Sequence, residues 1–124
     1  MAKDEVLDLG ALQEHLAEFA RAREWGRFHS PKNLALAIAS ETGELAELFQ
    51  WVTEEESRGI AQDEARRARV ADELADILQY IIRMADILDI SLPEALWRKL
   101  RENEARYPVA LARGNAKKYT EFTE

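Results

Sequence analysis

Two acidic pairs are placed where acids are usually costly. Glu41 and Glu44 lie in ETGELAELFQW, and Glu73 and Asp76 lie in ADELADIL. Members of each pair are three residues apart, which makes them neighbours on the surface of a helix. On a helical wheel with Leu34 at zero, Ile38 falls at about 40°, Leu45 at about 20° and Leu48 at about −40°. Glu41 falls at about −20°, inside that apolar stripe, and Glu44 at about −80°, on its flank. Glu73 and Asp76 border a second stripe, drawn by Val70, Leu74, Ile77 and Ile81.

An unpaired buried ion costs several kcal/mol, roughly, even after relaxation. Carboxylates facing one another also raise each other's pKa. Protonation, a cationic partner such as Arg66, Arg67 or Arg83, or a hard divalent cation would each relieve the strain. Carboxylate oxygens are the preferred ligands of Mg²⁺ and Mn²⁺. The spacing therefore predicts a metal site between two helices, with ordinary exposed ion pairs as the alternative.

Four helices must position these groups. Leu9, Leu12, Leu16 and Phe19 repeat at three and four, which predicts a first helix over about 9–24. Ser30 and Pro31 give the second its N-cap and first turn, and it is expected to end near Trp51. TEEESRG reads as a polar connection. The third is expected over about 62–88, and the fourth begins at the Ser91-x-x-Glu94 capping signal and ends at Tyr107-Pro108. Residues 110–124 read as an irregular tail. The expectation is an all-α, antiparallel four-helix bundle in a single domain spanning 1–124.

The composition narrows the function. With 124 residues the chain is long enough for its own core. It has no cysteine, which excludes disulfides, zinc thiolates and cysteine nucleophiles. A formal charge of −7 argues against polymeric nucleic acid as a partner. No apolar run is long enough for a membrane span, and MAKDEVLDLG does not read as a secretory signal; a cytoplasmic protein is expected. Apolar residues off the main stripes, among them Ile60, Tyr80, Ile82 and Ile87, predict burial by self-association.

With the acidic pairs in this order, the chain resembles the MazG-like all-α nucleoside triphosphate pyrophosphatases, most closely their dCTP pyrophosphatase branch. The stretches that carry the likeness are AEFARAREW, FHSPKNLALAIASETGELAELFQW, ELADILQYIIRMA, LPEALWRKLRENEARYP and RGNAKKYTEF. The resemblance implies a homotetramer, a dimer of dimers, that uses Mg²⁺ to split the α–β phosphate bond of a nucleoside triphosphate. It assigns metal binding to Glu41, Glu44, Glu73 and Asp76, with Glu44 or Glu41 receiving the proton of water. Trp25 and Trp51 resemble residues that close around the base, with packing as their alternative. Lys99, Asn103 and Tyr107, spaced four apart, would meet base or phosphate; Arg106 and Lys118 would join them or simply solvate the surface. His29, beside a helix N-terminus, would help hold phosphate, or cap, or pack.

Two positions depart from the branch. Leu16 stands where a histidine is common, and Arg101 where an acid is common between the lysine and asparagine of the fourth helix. Both bear on base preference. The function expected is hydrolysis of dCTP or a modified dCTP in nucleotide-pool sanitation. The alternatives are the same chemistry on dUTP, dATP or a phosphoribosyl nucleotide, or a non-enzymatic helical adaptor.

Overall fold

The helix starts follow side chains that supply the acceptors a first turn lacks. A computed structural model describes residues 6–123. Asp8 Oδ1 accepts from the Ala11 N–H at 2.9 Å and opens α1, Leu9–Ala22. Ser30 Oγ accepts from the Asn33 N–H at 3.1 Å and opens α2, Pro31–Glu47. Thr53 opens the short α3, Glu54–Arg58. Asp63 opens α4, Glu64–Ile87, and Ser91 opens α5, Leu92–Arg106. A four-residue α6, Val109–Ala112, follows Pro108. The described residues are all-helical, as expected.

The chain divides into two compact units, one up to Asp89 and one from Ile90. In the first, α4 packs mainly along α2 and secondarily along α1. Leu34, Ile82, Ala20, Ala85 and Ile60 are its buried apolar residues. In the second, α5 leads into an aromatic cluster. Tyr107 stands edge-on to Tyr119 at 6.0 Å and to Phe122 at 5.7 Å. The tail, expected to be irregular, carries α6 and a 3₁₀ turn at Tyr119–Glu121.

Several details differ from the sequence-based expectation. TEEESRG contains α3, because Thr53 Oγ1 accepts from the Glu56 N–H and donates to Glu56 Oε1, each at 3.1 Å. The Thr53 hydroxyl is thus a side-chain N-cap in a stretch whose polarity hides it. α2 gives way after Glu47 to three-residue turns, with the Leu48 N–H on Leu45 O and the Phe49 N–H on Ala46 O. Ile82 and Ile60, expected to need a partner subunit, are buried within the first unit at 2% and 8% exposure. Leu74, expected on the packed stripe, is exposed instead, as is Leu78 one turn on.

The end of α1 folds an aromatic side chain back onto the helix. The Trp25 N–H bonds Ala20 O at 2.8 Å and the Glu24 N–H bonds Arg21 O at 3.0 Å. This is the double closure of a Schellman turn, and Glu24 takes the left-handed position at φ 54°. The chain reverses there and brings Trp25 back over Phe19, with ring centroids 5.5 Å apart in an edge-to-face contact.

Candidate metal centre and cleft

Glu41 follows Leu34 and Ile38 along α2, so the packing that buries Leu34 carries Glu41 toward α4. Glu73 and Asp76 project from α4. One ligand oxygen from each of these three residues lies within 4.8 Å of the others. Glu41 and Glu73 are half-buried and Asp76 is open to solvent.

Glu41 Oε2 and Glu73 Oε2 are both buried and lack a hydrogen-bond partner. Two ionised carboxylates can only accept, so neither satisfies the other. Burial, foremost, raises the Glu41 pKa to about 7; the Glu44 charge, the close approach of the Glu73 and Glu44 carboxyls, and the Asp76 charge push the same way. A proton on Glu41 would let it donate to Glu73. A divalent cation would replace that proton and satisfy both orphaned oxygens at once, so the donor set fits a hard metal. Glu44 stands outside the trio, exposed on the flank of α2 one turn from Glu41.

Glu41 and Asp76 also line a cleft of about 360 Å³. Its other walls are aromatic and apolar, from Leu16, Phe19, Trp25 and Tyr80. The ridge Asp76, Gln79, Tyr80 and Arg83 on α4 lines one side. His29 enters from the turn before α2, where Asn33 Nδ2 donates to Phe28 O at 3.1 Å and pins that turn to the helix. Arg83 Nε donates to His29 Nδ1 at 3.3 Å. Burial and then the Arg83 charge lower the His29 pKa, which keeps the imidazole neutral near pH 7.

The residues singled out in the sequence therefore divide. Glu41, Asp76, Trp25 and His29 share the cleft, and Glu73 joins the acidic trio. Trp51 lies past the end of α2 and is 88% exposed. Lys99, Asn103, Arg106, Tyr107 and Lys118 belong to the second unit. There Lys99 Nζ is 3.5 Å from Glu102 Oε2. Arg106 lies over the Tyr119 ring at 4.9 Å, and the Lys118 N–H donates to Glu121 Oε2 at 3.1 Å.

Sequence reasoning does not place Phe19, Gln79 or Tyr80 at the site, and it offers Arg83 only as an alternative partner of the acids. A signal exists for Tyr80 and Arg83. They follow Asp76 at four and seven residues, the spacing of one helix face.

A MazG-like family model matches residues 36–122. Bovine dCTP pyrophosphatase 1 is 49% identical over 106 residues, covering 86% of this chain and 63% of its own length. The human dCTP pyrophosphatase 1 is 46% identical, covering 86% and 62%. The chain thus spans a little under two thirds of the length of the curated relatives it matches. A crystal structure of a pyrophosphatase from Archaeoglobus fulgidus superposes with a TM-score of 0.76 at 36% identity, covering 87% of this chain and 99% of that one. With the MazG-like model matching residues 36–122, and dCTP pyrophosphatases nearly half identical over 86% of the chain, this chain belongs to the MazG-like family.

Proposed function

We propose that the protein is a Mg²⁺-dependent nucleoside triphosphate pyrophosphohydrolase. It cleaves between the α and β phosphates to release a nucleoside monophosphate and pyrophosphate. Its substrate is dCTP or a modified dCTP, and its role is sanitation of the nucleotide pool. The observation that carries this reading is the convergence of Glu41, Glu73 and Asp76, with two orphaned oxygens, beside an aromatic cleft. The likeness to dCTP pyrophosphatases from cattle and human supports the substrate.

Bound Mg²⁺, or Mn²⁺ in its place, would neutralise triphosphate charge and acidify the attacking water. Glu41, Glu73 and Asp76 would hold it, with Glu44 as the further ligand of the family motif. Glu44 is exposed one turn away, and we assign it the proton released by water. The Trp25 indole supplies a stacking face, and Leu16 and Phe19 keep that part of the cleft apolar. Lys99, Asn103, Arg106, Tyr107 and Lys118 are assigned to substrate contact from the family motif, as is Trp51.

A tetramer built as a dimer of dimers belongs to the same reading. Leu36, Leu74, Leu78, Leu96, Trp97 and Leu100 all stand exposed, large apolar side chains that association of copies would cover. Among the described residues no helix is long and apolar enough to cross a membrane. Together with the lack of cysteine, this is compatible with the cytoplasmic placement proposed.

The test is a panel of nucleoside triphosphates assayed for pyrophosphate release, with Mg²⁺ and after chelation. Release that requires the metal and is abolished in Glu73→Gln is expected. Undiminished turnover by that variant, or orthophosphate as the product, would refute the reading.

A further inference from the structure

Arg83 is a largely covered cation, intermediate in exposure, that the metal chemistry does not use. Its side chain is 15% exposed, and arginine is seldom so covered unless paired. It is held in place by His29 Nδ1, 3.3 Å from its Nε, and by Asp86 Oδ2, 3.6 Å from its Nη1. Nη2 has no acceptor among the described residues. On α4 it lies seven residues past Asp76, about 10 Å along the axis at 1.5 Å per residue. Both line the same cleft, and Gln79, one turn before Arg83, lines it too. The Gln79 amide has no hydrogen-bond partner among the described residues and is exposed.

These two side chains offer complementary chemistry. Arginine only donates, whereas a primary amide both donates and accepts. The opposite wall, at Leu16 and Phe19, is apolar and offers no hydrogen bonds. Of the remaining polar lining, Glu41 and Asp76 belong to the acidic trio and His29 Nδ1 is taken up by Arg83, which leaves polar reading of a base chiefly to α4. A cytosine edge presents two neighbouring acceptors, O2 and N3, and one amino donor. We infer that Arg83 donates to O2 and N3 of a cytosine-type base while Gln79 Oε1 accepts from its exocyclic amino group, making this pair the base-specificity determinant. The inference rests on the pyrophosphohydrolase reading, because it needs the phosphates at the acidic trio.

The reverse orientation, with phosphate at Arg83, is disfavoured by the surroundings. Trp25 and Tyr80 line the cleft beside it, and the histidine it contacts is neutral and serves as its acceptor. Aromatic faces suit a base better than a polyanion.

The experiment measures kcat and KM of wild type, Arg83→Met and Gln79→Leu on dCTP, dUTP, dTTP and dATP with Mg²⁺. A well-made bidentate base contact corresponds to about a ten- to hundredfold discrimination. Arg83→Met is therefore expected to raise KM for dCTP by about that factor, with a much smaller change for dATP and the loss falling in KM, not kcat. Gln79→Leu, at an exposed position that folding does not depend on, is expected to reduce the dCTP-over-dUTP preference and decides the matter if Arg83→Met is unstable. Base ratios unchanged in the variants, or KM raised equally for every nucleotide as a phosphate contact would do, overturn the inference and leave the function intact. Wild type inactive on the whole panel overturns the function itself.

Discussion

Replacing Glu41 by glutamine tests the electrostatics of the metal centre without needing a substrate. Glutamine keeps the shape of the side chain and removes the charge that burial and three neighbouring acids oppose. The folded-state pKa is about 7 against an ordinary 4.5. A carboxylate so raised binds more protons folded than unfolded between those values. The metal-free protein therefore loses stability as pH climbs through that window and loses no more from this group above it. The full gap corresponds to at most about 3 kcal/mol. Water reaches Asp76 and Glu44 and screens part of it, which leaves about 1–2 kcal/mol at pH 8. Thermal unfolding of chelator-treated protein, read as the difference between Glu41→Gln and wild type across pH 4.5–8, isolates the group. The variant should be the more stable at pH 8, by several degrees in Tm, with the gap closing steadily toward pH 4.5. Added Mg²⁺ should reverse the order, because it stabilises only the protein that binds it. Since metal and proton compete for Glu41, wild-type Mg²⁺ affinity should fall about tenfold from pH 8 to pH 6. A wild type as stable as the variant at pH 8 without metal, or an affinity independent of pH, would show that the acids do not converge as described.

Other perturbations probe the frame around that centre. Glu24→Gly should stabilise the protein by about 1 kcal/mol in denaturant unfolding, because Glu24 sits at φ 54° where glycine carries no Cβ penalty. Trp25→Ala should raise nucleotide KM by about 5- to 100-fold through lost stacking, and an unchanged KM would remove Trp25 from the base site. Leu36→Glu, at a side chain 60% exposed, should leave the secondary structure intact by circular dichroism and lower the mass in light scattering if that face joins subunits.

Much of the helical frame is legible in the chain because its signals are local. Ser30 and Ser91 announce the starts of α2 and α5 through hydrogen bonds made within a turn, and Pro31 through its fixed φ at the first helical position. The three-residue spacing of Glu41–Glu44 and Glu73–Asp76 announces a chemistry because repulsion between acids on one helix face needs an answer. α3 escapes notice although its Thr53 cap is as local as the others, because a short, wholly polar helix has no apolar stripe to reveal it.

Local sequence dictates which segments become helices and which acids sit on their apolar edges, since both depend on groups within about four residues of each other. The rotation of α4 against α2 is settled only by packing. That rotation buries Ile82 and exposes Leu74, admits Glu41, Glu73 and Asp76 to one centre while leaving Glu44 on the flank, and lines the cleft with Arg83 and Tyr80. A broad apolar stripe permits several packings of nearly equal burial, so periodicity alone cannot choose among them. Contacts between residues such as His29 and Arg83, 54 positions apart, make that choice.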